Sequence, residues 1–125
     1  IYDYIFVVSN VSTQNSATMM TLLNSNKVVV IVKNDYSNLL QINNVLNTVN
    51  MFYRKNHPIN IVYNFNNSHV VNVSKNIKAK NVEVIGLIDY IPKTVDNLNL
   101  GKKFFLERNT INDRKYKIML EKIID

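Results

Sequence analysis

The chain has 125 residues, a length that suits one packed domain. Hydrophobic residues make up 46% of it and the formal net charge is +6, which is typical of an ordered globular protein rather than a disordered or fibrous one. The absence of cysteine excludes disulfides and thiolate metal sites, and no apolar run approaches the roughly 18–20 residues of a membrane-spanning helix.

Four short apolar runs are predicted to be buried strands. Each is rich in Val and Ile and nearly continuous in apolar residues, as expected for parallel strands that are covered on both faces. In chain order the predicted strands are residues 4–8, 27–32, 60–63 and 82–88.

Helical stretches are predicted between and after these strands, at residues 12–24, 37–53, 68–79 and 113–124. The second has apolar residues at three- and four-residue spacings, which indicates an amphipathic helix. Ser12 and Ser37 are the expected N-caps. The last helix is expected to bury four apolar side chains, namely Tyr116, Ile118, Met119 and Ile123.

The two glycines and two prolines mark particular positions, because the chain has so few of them. Gly86 falls inside the fourth predicted strand, which indicates close packing against a neighbour. Pro92 is expected to end that strand, since its ring cannot continue the hydrogen-bond ladder. Gly101 follows a short turn or helix and is expected to be a C-cap.

The alternation of strands and helices predicts an α/β fold. Crossovers of this length join parallel strands, so we expect a three-layer arrangement of a mainly parallel sheet with helices on both faces. No internal repeat or linker divides the chain, and we therefore expect residues 1–125 to form a single domain.

Several kinds of active site are excluded or unsupported. Two glycines that lie 15 residues apart cannot form GxxxxGK[ST] or GxGxxG. A carboxylate that ends the first strand would support metal or phosphate chemistry, but Val8 and Ser9 occupy that place. We therefore expect no catalytic residue and no metal site in this chain.

The order of these segments resembles the C-terminal half of the MinD/ParA-type deviant-Walker P-loop ATPases, and in character the CpaE/TadZ-like pilus-assembly localisation proteins. The matching segments cover nearly all of the chain. They are YDYIFVV at residues 2–8, KVVVIV at 27–32, INIVYN at 59–64, VIGLIDYIP at 84–92 and NLGKK at 99–103.

The resemblance implies a P-loop NTPase-like fold of which this chain is a part, with the Walker A loop upstream of Ile1. It places Asn64, Pro92 and Lys93 in the nucleotide-base pocket, and Val8, Ser9 and Asn10 at a degenerate Walker-B-like strand end. ATP with Mg²⁺ is then the cofactor of the intact protein, and none is expected for this chain alone. ATPase activity would need the upstream loop, because without it nothing grips the phosphates.

The resemblance also implies a role: a cytoplasmic domain that acts in localisation or assembly, in pilus formation, secretion or partition. It would act through a homodimer and protein partners, including partners in a membrane-associated assembly.

Each of these residues also has a simpler interpretation. Asn64 can be one more loop asparagine in a chain with 22 of them, while its amide could equally read an adenine edge. Pro92 and Lys93 can be a strand terminator and a surface charge. Ser9 and Asn10 can cap the following helix instead of contacting a phosphate or a water molecule.

Two other functions stay open at this point. A flavodoxin-like pseudo-receiver signalling module fits the length, but it would have Asn64 where phosphorylation needs an aspartate; its strand order would be 2-1-3-4-5. A nucleic-acid-binding module fits the net charge, although the lysines are scattered, which favours a solvated surface over a basic patch.

Overall fold

The computed structural model describes residues 1–10, 15–66, 77–90, 92, 96, 99–101 and 111–125, without the side chains of residues 39, 65, 66 and 111–113. Within these residues the chain forms helices and strands in alternation. Their order is α1 (Ser16–Asn24), β1 (Val29–Lys33), α2 (Tyr36–Phe52), β2 (Ile59–Asn66), β3 (Val82–Asp89) and α3 (Ile111–Ile124).

The three strands form one parallel sheet in the order β1-β2-β3. Val32 pairs with Tyr63, and Ile61 pairs with Val84. The next β2 residue, Val62, pairs with Gly86, so β3 carries one extra residue at this point. The predicted α/β class and parallel pairing are confirmed, as are the last three predicted strands, with end shifts of up to three residues.

The buried apolar side chains of the described residues form two clusters on opposite faces of the sheet. In the larger cluster, α2 packs on β1 and β2; its most buried members are Ile42, Leu46, Ile59, Ile61 and Tyr63. In the smaller cluster, Met119 of α3 packs on Val62, Ile85 and Ile88. Because Ile61 and Val62 are consecutive in one strand, they point to opposite faces, and each face is covered by a different helix.

The prediction of a strand at residues 4–8 is wrong. Residues 1–10 form neither a helix nor a strand, and the apolar side chains of residues 4–8 are exposed, from 57% at Tyr4 to 98% at Val8. An apolar run specifies burial only where a neighbouring strand and helices are available to cover it, and the rest of the described chain does not cover this one.

Both predicted N-caps are also replaced. α1 is capped by Asn15, whose Oδ1 accepts from the Ala17 N–H, and Ser12 lies outside the described residues. α2 is capped by Asp35 in place of Ser37, and the Ser37 hydroxyl donates to the Asp35 carboxylate. Asp35 takes the cap because its backbone is extended (φ −130°, ψ 163°), whereas Ser37 is already within the helix.

Hydrogen bonds to the Asp35 carboxylate predict a pH dependence of stability. The backbone N–H of Asn38, then its side-chain amide and the Ser37 hydroxyl, lower the pKa of Asp35 from 3.8 to about 2. Because the pKa is lower in the folded chain, the cap stabilises the fold above about pH 4, and this contribution is lost as the pH falls towards 2.

We expect the difference in unfolding free energy between wild type and Asp35→Asn to shrink over that pH window. The asparagine keeps a side-chain oxygen for the Asn38 N–H but does not titrate. Urea unfolding at a series of pH values measures the difference, and a difference that does not change with pH would contradict the assignment.

Three smaller predictions have mixed outcomes. Gly101 has φ 70° and follows a turn in which the Leu100 N–H donates to the Asp96 carbonyl (3.0 Å), so the expected C-cap conformation is confirmed. Met119 is buried and Tyr116 and Ile123 are half-buried, but Ile118 is 47% exposed, so its predicted burial is wrong. The predicted helix at 68–79 lies mostly outside the described residues, and residues 77–79 are not helical.

Candidate functional site

Polar side chains collect where the three parallel strands end. Since the strands run in the same direction, their carboxyl ends meet at one edge of the sheet, which is where α/β proteins bind ligands. Asn34 and Asp35 follow β1, Asn64 lies near the end of β2, and Asp89 ends β3. Lys115 of α3 reaches Asp89. We call these five residues the carboxyl edge.

Two asparagines form the middle of the carboxyl edge. The backbone N–H of Asn34 donates to the carbonyl of Asn64 at 2.9 Å, and Asn34 is only 4% exposed while Asn64 is half-buried. β2 continues to Asn66, so Asn64 lies inside the strand rather than just after it. An amide offers both a donor and an acceptor, which suits recognition of a polar ligand edge.

An ion pair joins α3 to the end of β3. The Lys115 Nζ donates to the Asp89 Oδ2 at 2.5 Å, and the two side chains are 34% and 36% exposed. At that exposure such a pair contributes about 0.2–1 kcal/mol. Its main consequence is positional, because it fixes an ammonium group and a carboxylate at the carboxyl edge.

A shallow cavity of about 210 Å³ opens beside this ion pair, lined by Ile85, Gly86, Leu87, Lys115 and Ile118. Pockets that enclose a small-molecule ligand usually measure about 300–1,000 Å³. The cavity is therefore too small to enclose a nucleotide, although it could hold a single apolar side chain.

The two carboxylates of the carboxyl edge are bound to different groups: Asp35 accepts from the Asn38 N–H, and Asp89 accepts from Lys115. Asp35 follows β1 and Asp89 ends β3, the two outer strands of the described sheet, so strand spacing puts them roughly 10 Å apart, too far to share a proton. Asp35 also caps α2. Over the described ranges, no group of three or more His, Cys, Asp or Glu residues could hold a metal ion.

Tyr63 places a buried phenol one residue before Asn64. It is 1% exposed, and its hydroxyl has no hydrogen-bond partner within the part of the chain that the structure describes. Burial raises the pKa of Tyr63 to about 12, so the hydroxyl is neutral at physiological pH. Its side chain belongs to the core cluster under α2.

The residues expected at a Walker-B-like strand end occupy a different setting. Val8 is 98% exposed and no strand ends there, so that expectation is corrected. The Ser9 Oγ lies 2.8 Å from the Thr18 Oγ1, which also donates to the Asn10 carbonyl at 3.3 Å. These contacts attach Ser9 and Asn10 to Thr18 of α1, and the N-cap of this helix is Asn15, so the helix-capping interpretation is wrong.

The base-pocket residues are only partly located. Asn64 lies on the carboxyl edge, as its predicted position near a strand end required. Pro92 is exposed and follows the end of β3 by three residues, and Lys93 lies outside the described residues. The structure therefore places Asn64 at this edge and Pro92 just beyond the end of β3.

Sequence reasoning missed three residues of this region, Asn34, Tyr63 and Lys115. Asn34 directly follows an apolar strand, which is the signal that singled out Asn64, so the same argument could have found it. Tyr63 looks like any aromatic residue of a buried strand. Lys115 is one of the scattered lysines, and only the packing of α3 on β3 brings it to Asp89.

No helix in the described ranges has both the length and the apolar composition needed to cross a bilayer. Comparisons of the chain with protein-family models, with curated proteins and with solved structures give no match.

Proposed function

We propose that this chain is a degenerate nucleotide-binding-like domain that binds rather than hydrolyses. In this proposal it is part of a larger three-layer, P-loop-like α/β domain of the MinD/ParA type. It acts in the cytoplasm, in localisation or assembly for pilus formation, secretion or partition, as a homodimer that recruits protein partners.

One observation carries the nucleotide-binding part of the proposal. The parallel sheet of the described residues carries the half-buried amide of Asn64 and a lysine–aspartate pair at its carboxyl edge. That edge is where doubly wound α/β proteins bind nucleotides. Amides can hydrogen-bond a purine edge, and a fixed ammonium group attracts an anionic ligand. Asp35 and Asp89 lie at the ends of the two outer strands of the described sheet, too far apart to act together as a pair of carboxylates, which favours binding without hydrolysis.

Strand order does not separate this proposal from the pseudo-receiver alternative. The observed order β1-β2-β3 also fits the last three strands of the order 2-1-3-4-5. The pseudo-receiver gains no support from β2, where Asn64 stands in place of the aspartate that phosphorylation needs. The nucleic-acid alternative gains no support from the carboxyl edge, where one lysine is already paired with an aspartate.

Calorimetric titration of the intact protein with ATP and Mg²⁺ tests the proposal. We expect saturable binding without release of phosphate. Asn64→Ala should weaken binding about two- to tenfold through the loss of one or two hydrogen bonds. Asn50→Ala is the matched control, because Asn50 is an exposed asparagine on α2.

Two results would overturn the proposal. An absence of binding heat at millimolar ATP would show that the domain does not bind this nucleotide. Rapid phosphate release would show that the domain is catalytic. Equal affinities of Asn64→Ala and wild type would place the ligand elsewhere than at the carboxyl edge.

A further inference from the structure

The first eight residues form an exposed apolar segment, which we call the amino-terminal arm. Seven of the eight are large apolar side chains that are each more than half exposed: Ile1, Tyr2, Tyr4, Ile5, Phe6, Val7 and Val8. A contiguous exposed apolar surface of this kind marks an interaction site in most proteins.

The end of the arm is attached to α1. Thr18 is 6% exposed, and its hydroxyl contacts both Ser9 and the Asn10 carbonyl. The arm therefore starts from a defined place on the domain, and its apolar residues extend from there. A partner that covers the arm must also approach this side of the domain.

The outer edge of β1 is a complementary surface. The Val28 carbonyl and the Asn34 N–H form hydrogen bonds with β2. Because the hydrogen-bonding direction alternates from one residue of a strand to the next, the N–H and C=O groups of Val29, Ile31 and Lys33 point away from β2. The Lys33 carbonyl accepts from the Asp35 N–H. β1 has no other strand beside it among the described residues, and Ile31 is 69% exposed.

This edge lacks most of the features that normally prevent strand addition. Sheet edges are usually protected by proline, by inward-pointing charges, by bulges or by very short strands. β1 has five residues, four of them Val or Ile, and its one charge is Lys33 at the end. Its outward N–H and C=O groups can therefore accept an extended segment through main-chain hydrogen bonds.

We propose that the arm of one chain adds as a strand to the β1 edge of a second copy, reciprocally, in a two-fold dimer. This inference names the surface of the dimer in the proposed function, and it rests both on that dimer and on residues 1–8 being exposed in the intact protein. The apolar run at residues 4–8 has the same length as β1. In a parallel pairing Asp3 falls near Lys27, whose ammonium group donates to the Lys122 carbonyl and can also attract the carboxylate. In an antiparallel pairing Asp3 falls near Lys33, which already forms an ion pair with Asp35, so the charges favour the parallel direction.

The area is sufficient for a stable dimer. An aromatic side chain can bury about 150–250 Å² and the aliphatic ones somewhat less, so each arm can supply on the order of 1,000 Å². Suppose that each arm buries only half of that area. The two arms and the surfaces that they contact then bury a total within the roughly 1,200–2,000 Å² of specific interfaces. Reciprocal exchange makes the interface self-complementary, as two-fold symmetry requires.

Sedimentation equilibrium of the full chain over a range of concentrations tests the proposal. We expect a monomer–dimer equilibrium that Val7→Asp weakens at least tenfold, because it would place an unpaired charge in the interface. Ile31→Lys, a change on the receiving edge, should weaken the dimer as well. Met51→Asp is the matched control, since Met51 is 67% exposed on α2 and should leave the dimer unchanged.

Three outcomes would overturn the proposal. A wild-type chain that stays monomeric while the arm amides are protected from hydrogen exchange would show that the arm covers its own domain. A dimer that survives both Val7→Asp and Ile31→Lys would use another surface. A monomer that binds phosphatidylcholine vesicles through the arm would make a lipid surface the occupant. ATP titration of the Val7→Asp monomer tests nucleotide binding separately, so failure of the dimer and failure of the nucleotide site are distinguishable.

Discussion

Leu46→Ala is expected to lower the free energy of unfolding by about 2–5 kcal/mol. Leu46 is fully buried in α2, between Ile42 and Val49 of the same helix and the strands β1 and β2. Truncation removes apolar contacts and leaves a cavity that the surrounding strands cannot close. Because a domain of this size has about 5–15 kcal/mol in total, the loss would be a large fraction of its stability.

Leu40→Ala is the matched control for this change. Leu40 lies in the same helix but is 62% exposed, so the same substitution should cost less than about 0.5 kcal/mol. Urea unfolding followed by circular dichroism measures both variants. Equal losses for the two leucines would contradict the placement of α2 on the sheet.

Gly86→Ala is the second change with a large expected effect. A Cβ at this position would overlap the Sδ and Cγ atoms of Met119, so the glycine is what lets α3 approach β3. We expect a loss of about 1–3 kcal/mol from overpacking. The sequence predicted close packing at Gly86, and the structure shows that the neighbour is Met119.

A double-mutant cycle isolates that contact. Met119→Ala leaves a cavity of its own, but in its background Gly86→Ala should cost at least about 1 kcal/mol less than in wild type, because the overlap is gone. Gly101→Ala is the control. At φ 70° an alanine is strained, but no atom lies within 4 Å of the added methyl group, so the stability cost of this change should not depend on Met119. A Gly86→Ala cost that is unchanged by Met119→Ala would show that the two residues do not touch.

The candidate site was only partly predictable from the sequence. Asn64 could be found because a polar residue at the end of an apolar strand points to the carboxyl edge of a parallel sheet. Asn34 has the same signal and completes the pair of amides. Lys115 could not be found, because its contact with Asp89 spans 26 residues and depends on how α3 packs across β3.

The helix caps and the buried helix faces were also only partly predictable from the sequence. Residues 35–37 contain two good N-cap residues, and only the extended backbone at Asp35 decides between them. In α3 the apolar period marks four candidates for burial, yet Ile118 faces the shallow cavity while Met119 fills the space above Gly86. The choice depends on how the helix is rotated against the sheet, which the helical period leaves open.

Composition and periodicity alone determined the strands β1, β2 and β3, the helices α2 and α3, and the parallel pairing of the strands. These features depend on local side-chain patterns and on crossover length. Tertiary structure alone decided that residues 4–8, with the same Val- and Ile-rich character, stay outside the sheet. A strand needs a neighbour's backbone and a covering face, and neither is encoded within the strand itself.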